Sequence, residues 1–200
     1  IGAHTVCLAK KVAPGGLVVA FEPQRLVFQM LCGNIALNSL INVVCLQNAA
    51  GDAPGHVVVP LLDPAKSNNF GGLGLGDHSK GERVAVMRVD DLNLPKCALI
   101  KVDVEGMELA VLRGARKVIE QFQPMLYVEN DRPDRSDALV KFVNELKYDA
   151  WWHHPPLFNA QNFFANPENV FSDTVSINMI CLPRNRPVNI KRLQRVVVPQ

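Results

Sequence analysis

Long apolar runs, paired-cysteine motifs, a strong charge of either sign and most tyrosines are missing from this 200-residue sequence. No stretch approaches the roughly 18 consecutive apolar residues of a membrane span, so none is expected. No secretory leader is visible, although the chain starts at Ile1 and any targeting segment before it is out of view. The formal charge of +2 gives no argument for a nucleic-acid partner. The five cysteines (Cys7, Cys32, Cys45, Cys97 and Cys181) are odd in number and form no C-x-x-C. A disulfide framework or zinc site is therefore not expected. Buried, reduced thiols are, as suits a reducing compartment such as the cytoplasm. Of the two tyrosines, Tyr127 and Tyr148, neither is followed four residues later by Lys. A nicotinamide-dependent oxidoreductase, the alternative enzyme class for an α/β layout, would need that pair or an equivalent.

What is present reads as one domain. Apolar residues make up 48% and charged residues 20% of the chain, a globular balance rather than a disordered one. The region from Gly2 to Val12 carries Thr5, Leu8, Ala9 and Val12 on one helical face and stops at Ala13-Pro14-Gly15-Gly16. Leu17 to Phe21 is a continuous apolar run, as expected of a parallel strand buried on both faces. Pro23 sits at a helix start, and Val27, Met30, Leu31 and Ile35 form the stripe of that helix. Val43 to Leu46 is the next strand. Further strands are expected over Ala98 to Val102 and Met125 to Val128, with helices over Gly106 to Gln121 and Ser136 to Lys147. Trp151 to Asn169 reads as irregular and aromatic, and Thr174 to Leu182 as a late, antiparallel strand. This alternation predicts an α/β fold, a doubly wound and mostly parallel sheet with helices on both faces. Residues 53–97 interrupt it as a β-hairpin-like insertion, with a mobile polar loop from Asp63 to Gly81. The domain is expected over residues 1–182, followed by a basic C-terminal tail over 183–200. A helix that opens a doubly wound unit follows a strand, so the first strand is expected before residue 1.

Ligands of open α/β sheets bind beyond the carboxyl ends of the strands. Those ends carry Glu22, then Asn48 to Asp52, then Asp103 and Glu105, then Glu129, Asn130 and Asp131. Glu22 can accept hydrogen bonds from both hydroxyls of a ribose, or it can be an ordinary first-turn acid of the following helix. Gly2 favours the first reading, because a glycine opening a helix lets a ligand approach backbone N–H groups. Asp103 and Glu105, two residues apart at a strand end, suit proton abstraction or ligand orientation; the alternative is a loop acid and a helix cap. Two acids there permit Mg²⁺ without requiring it, and no metal site is expected. Glu108 reads as structural. His78, His153 and His154 are secondary candidates for the proton. Trp151, Trp152, Phe158, Phe163 and Phe164 can line an acceptor pocket or simply pack.

Two motifs fail. Gly71 to Gly76 is not G-x-G-x-x-G and lacks a flanking strand and helix; a flexible lid or a plain loop is expected. His154-Pro155-Pro156-Leu157 is similar to the Pro-Pro motif of amino-group methyltransferases, but it lies far beyond the strand that ends before Asp103.

The succession IGAHT, VVAFEP, NIALN, NAAGD and IKVDVEGMELAVLRGA resembles the FkbM-type S-adenosylmethionine-dependent methyltransferases over roughly residues 1 to 130. That family's first strand ends in D-x-G-A-N before I-G, and this sequence holds only the I-G. The resemblance implies a Rossmann-like methyltransferase fold and S-adenosylmethionine as cofactor. It implies cofactor contacts from Gly2, His4, Thr5, Glu22, Pro23, Asn48, Ala49, Ala50 and Asp103. Gly2 would line the methionine side, Glu22 would hold the ribose, and Asn48 to Ala50 would border the adenine. Asp103 and Glu105 would face the transferred methyl group and the acceptor. The implied reaction is O-methylation of a small-molecule or sugar hydroxyl. A non-catalytic domain that lacks its first strand is the third expectation.

Overall fold

The structure, a computed structural model, describes residues 1–66, 69, 71–74, 78–162, 165–186, 188 and 190–199. The chain forms two compact units, residues 1–91 and 92–200.

In the first unit, α1 (Ala3–Val12) leads into β1 (Val18–Phe21), α2 (Arg25–Leu37) and β2 (Val43–Leu46). β1 and β2 pair in parallel, Val18 with Val43 through Phe21 with Leu46. α2 buries Val27, Leu31 and Ile35. Met30, expected on the same stripe, is instead 41% exposed: the 3.6-residue period turns it off the line joining Val27, Leu31 and Ile35. α1 buries Ala9 alone. β1 is half-buried throughout rather than covered on both faces; among the described residues it pairs only with β2.

The remaining strands of this unit are β3 (Ala49–Ala50), β4 (Gly55–Val59) and β5 (Glu82–Met87), in the order β3-β5-β4. β4 and β5 pair antiparallel, while β3 runs parallel to β5. Residues 67, 68, 70 and 75–77 of the intervening loop lie outside the described residues, and the expected lid falls partly on them.

The second unit is a four-stranded sheet in the order β6-β7-β9-β8. β6 (Leu99–Val102) and β7 (Met125–Glu129) are parallel; β9 (Asn178–Pro183) runs antiparallel to both β7 and β8 (Tyr148–His153). Across the two units three pairings are parallel and three antiparallel among the described residues, so the sheets are mixed rather than mostly parallel. β8 also corrects the irregular reading of Trp151 to His153. Tyr148 and Ala150 alternate inward with Asp149 and Trp151, a period-two pattern hidden by the run of large rings.

The helix expected over 106–121 is two helices, α3 (Glu108–Arg113) and α4 (Arg116–Phe122). Gly114, a weak helix former, sits at the break, where the Ala115 N–H turns back to the Leu112 carbonyl at 3.2 Å. Leu112, Ala115 and Ile119 are at most 1% exposed. α5 (Pro133–Glu145) starts with proline in its first turn and buries Leu139, Val140, Phe142 and Val143. Val102, Leu126, Val128 and Met179 complete the core, each at most 1% exposed.

All five cysteines are free, but only Cys181 is buried; burial pushes its thiol up to about 12. Cys7 is exposed and the other three are half-buried, because their helix and strand faces are themselves only partly covered. No helix among the described residues is long and apolar enough to cross a membrane.

Candidate active site

In the first unit the local backbone is specific. Gly2 caps α1 with φ 94°, a left-handed conformation that an L side chain adopts only with strain. A Cβ there would also stand 2.8 Å from Leu31 Cδ1, so the glycine lets the start of α1 lie against α2. Asn34 holds the same corner by donating from Nδ2 to the Ile1 carbonyl at 2.8 Å. Glu22 extends the ladder of β1, its N–H donating to the Leu46 carbonyl at 3.1 Å. Its Oε1 accepts the Gln24 backbone N–H at 2.9 Å. Burial pushes the Glu22 carboxyl up, and that Gln24 hydrogen bond partly offsets it. The first turn of α2 contains no acid, so Glu22 does not serve as a first-turn acid; Pro23 likewise lies before the helix rather than in it. His4 is exposed, and Thr5 is half-buried. Asn48 donates from Nδ2 to the Ala85 carbonyl at 3.3 Å. Ala49 is 2% exposed, and Ala49 and Ala50 pair with Val86 and Met87, so these residues contribute backbone rather than an open side-chain rim.

In the second unit the candidate residues are side chains from several elements. Beyond β6, Glu105 has φ 54° and Gly106 φ 101°; a non-glycine residue held left-handed is a recurrent feature of functional loops. A Cβ on Gly106 would lie 2.5 Å from Arg135 Nη1 and 3.1 Å from Arg132 Nε. The two arginines press on the loop at that point. Arg132 Nη2 bonds Glu105 Oε2 at 2.7 Å, and Arg135 donates to the Gly106 carbonyl. Neither Asp103 nor Glu105 caps α3; Glu108 does the local work, its buried Oε1 accepting the Gly106 N–H at 2.8 Å. Asp103 is half-exposed and bonded to Lys101 Nζ at 2.5 Å.

Glu129, at the end of β7, completes this group. Burial pushes its carboxyl up to about 8, and the carboxylates of Asp103, Asp131 and Glu105 push the same way. Its Oε2 is buried without a hydrogen-bond partner among the described residues. Tyr127, two residues earlier, bonds His153 Nδ1 through its hydroxyl at 2.9 Å; burial first, then Asp103 and Glu129, push that phenol up. Glu105, Glu129 and Asp131 each offer a carboxylate oxygen within 4.8 Å of the others. That geometry could accept a cation, but Arg132 already neutralises Glu105. A cleft of about 330 Å³ opens beside the group, lined by Gly106, Met107, Arg113, Asn130, Arg132 and Arg135 among others.

The structure thus brings Asp103 and Glu105 together with Glu129, which sequence reasoning placed on the rim without a role. It adds Arg132 and Arg135, which had no local signal beyond residue type, and of the secondary histidine candidates it pairs His153 with Tyr127. His154 stacks at a tilt on Trp152 with ring centroids 5.8 Å apart, and His78 Nε2 lies 2.9 Å from the Gly74 carbonyl. Phe163 and Phe164 lie outside the described residues.

Residues 1–150 match the Methyltransferase FkbM domain family. No curated protein matches the chain. Among solved structures, the methyltransferase FkbM of Methylobacillus flagellatus KT superposes with a TM-score of 0.58 at 19% identity, covering 89% of this chain and 40% of that one. The likeness at that identity is one of fold, and the chain spans about two fifths of that neighbour's length.

Proposed function

The chain belongs to the FkbM methyltransferase family, and from that premise we propose that it transfers a methyl group from S-adenosylmethionine to a hydroxyl oxygen of a small molecule or sugar. The observation that carries the cofactor assignment is Glu22: a desolvated carboxylate at the carboxyl end of a parallel strand, one oxygen fixed by the Gln24 backbone N–H. A carboxylate so placed suits the vicinal hydroxyls of a ribose. Gly2, left-handed at the N-terminus of α1, fits a ligand drawn to the backbone N–H groups of that helix start. His4 and Thr5 lie close after Gly2 and Pro23 follows Glu22, while Asn48–Ala50 lie just beyond β2, the strand paired with β1; together they complete the proposed cofactor contacts.

S-adenosylmethionine, when bound, would supply an electrophilic methyl carbon on a positively charged sulfur, with the neutral thioether as the leaving group that keeps the electron pair. The protein must orient the acceptor and remove one proton. Asp103 and Glu105 are the proposed proton-accepting and orienting groups. The acceptor hydroxyl would give its proton to a carboxylate of this group as the acceptor's own oxygen takes the methyl group. Arg132 holds the Glu105 carboxylate in place through their 2.7 Å bond.

Calorimetric titration with S-adenosylhomocysteine tests the cofactor assignment. Binding that Glu22→Ala weakens about tenfold is expected; absence of any binding, with NADH binding instead, would return the oxidoreductase alternative. A screen of hydroxylated acceptors with a labelled methyl donor then identifies the substrate.

A further inference from the structure

The basic end of the chain is not used by the proposed transfer, and it does not hang free. The Trp152 N–H donates to the Gln194 carbonyl at 2.8 Å and the Val196 N–H to the Ala150 carbonyl at 2.9 Å. Trp151 bridges Arg195 in antiparallel fashion, and Val196 is 8% exposed. Residues 194–196 are therefore strapped along β8, which fixes where Arg195 stands.

Beside that strap is a cleft of about 430 Å³ with Arg184, Arg186 and Arg195 on its walls. One acid faces them: Asp149 Oδ1 receives Arg184 Nε at 3.0 Å and Arg195 Nη2 at 2.5 Å. Burial pushes the Asp149 carboxyl up, but these two guanidiniums outweigh it and hold the group below its ordinary value. Arg184 is fixed further through Nη2, to Asn144 Oδ1 at 2.5 Å and to the Tyr148 carbonyl at 3.2 Å. Arg186 has no carboxylate partner among the described residues. Three guanidiniums against one carboxylate leave a surplus of two positive charges in one concavity. Trp151 and Ile190 supply apolar wall.

We propose that this cleft binds a small phosphomonoester carrying a flat or apolar body. A phosphate dianion matches the charge surplus, where a carboxylate would leave half of it unanswered. Guanidinium groups recognise phosphate oxygens through paired, charge-assisted hydrogen bonds. Asp149 keeps two of the three arginines in place before the ligand arrives, and Arg186 supplies the uncommitted charge. The ring of Trp151 accepts the body of the ligand. The site uses no residue of the proposed transfer reaction.

Phenyl phosphate is the probe, titrated into the full chain by calorimetry with benzoate alongside. Phenyl phosphate should bind, benzoate about tenfold more weakly, and Arg186→Gln should weaken phenyl phosphate about tenfold. Arg186 is exposed, so the variant should melt with the parent. Arg195→Gln provides a second variant with the same expected direction. Unchanged affinity in both variants, or no binding of phenyl phosphate, overturns the proposal. Tight capture of a single-stranded RNA oligomer without phenyl phosphate binding overturns it in favour of a nucleic-acid backbone. S-adenosylhomocysteine titrated into Arg186→Gln separates the two assignments: its binding should be unaffected whatever happens to phenyl phosphate.

Discussion

Residues 1–91 and 92–200 carry their proposed functions by different means. The first unit relies on backbone conformation: a left-handed glycine at a helix start, a strand end, and one carboxylate held by its own chain two residues on. Its strands are half-covered, and Ile41 and Leu37 are 100% and 84% exposed. The second unit has a fully buried core, and its acids are brought together from β6, β7 and the loops that follow them. A site made of backbone is local and readable from a few neighbouring residues. A site made of converging side chains depends on the sheet that brings them together.

The contrast can be broken most forcefully in the core. Leu126→Ala removes a side chain with 0% exposure and should cost about 3 kcal/mol in denaturant melts. Ile41→Ala, at full exposure, should shift the same melt by less than about 0.5 kcal/mol. Equal losses would show that the first unit's surface is covered in solution.

Asp103→Asn sharpens the functional side. Methyl transfer should slow about 100-fold, with S-adenosylhomocysteine affinity changed by less than about threefold. If affinity falls and turnover does not, Asp103 holds cofactor rather than moving a proton.

Gly106→Ala and Gly2→Ala compare one positive-φ glycine from each unit. Each should cost about 1–2 kcal/mol from backbone strain. Gly106→Ala should be the worse, because two guanidiniums must also move. Thermal melts of the pair decide the order.

The smallest effect concerns Glu129. Its carboxyl sits at about 8 in the folded chain against an ordinary 4.5. The folded state therefore holds a proton that the unfolded state has released, and this group's contribution to stability is full below about 4.5 and lost as pH rises toward 8. Solvent screening of a half-buried group reduces the swing to about 1 kcal/mol. Glu129→Gln should flatten the stability profile over that window, and an unchanged profile would assign the slope to another group.

The α/β alternation, the strands at β1, β2, β6 and β7, and the rim position of Glu22, Asp103 and Glu105 were legible in the residue order. Each rests on short-range periodicity or on a turn signal next to a strand. The break at Gly114 was legible too, had the glycine been weighed against the apolar stripe around it. β8 was not, because its alternation is carried by aromatic residues that read as irregular. The equal share of antiparallel pairing depends on where β9 inserts between β7 and β8, a choice between partners distant in sequence.

The sequence alone determined α1, α2 and the strands β1, β2, β6 and β7, the family resemblance and the glycine that opens α1, since these depend on neighbours a few positions apart. Only the tertiary structure decided that Glu129 joins Asp103 and Glu105, that Arg132 and Arg135 clamp the Gly106 loop, and that the basic end lies along β8. Those outcomes follow from how long-range strand order sets charges against one another, and a Coulomb interaction between residues far apart in the chain has no local signature to read.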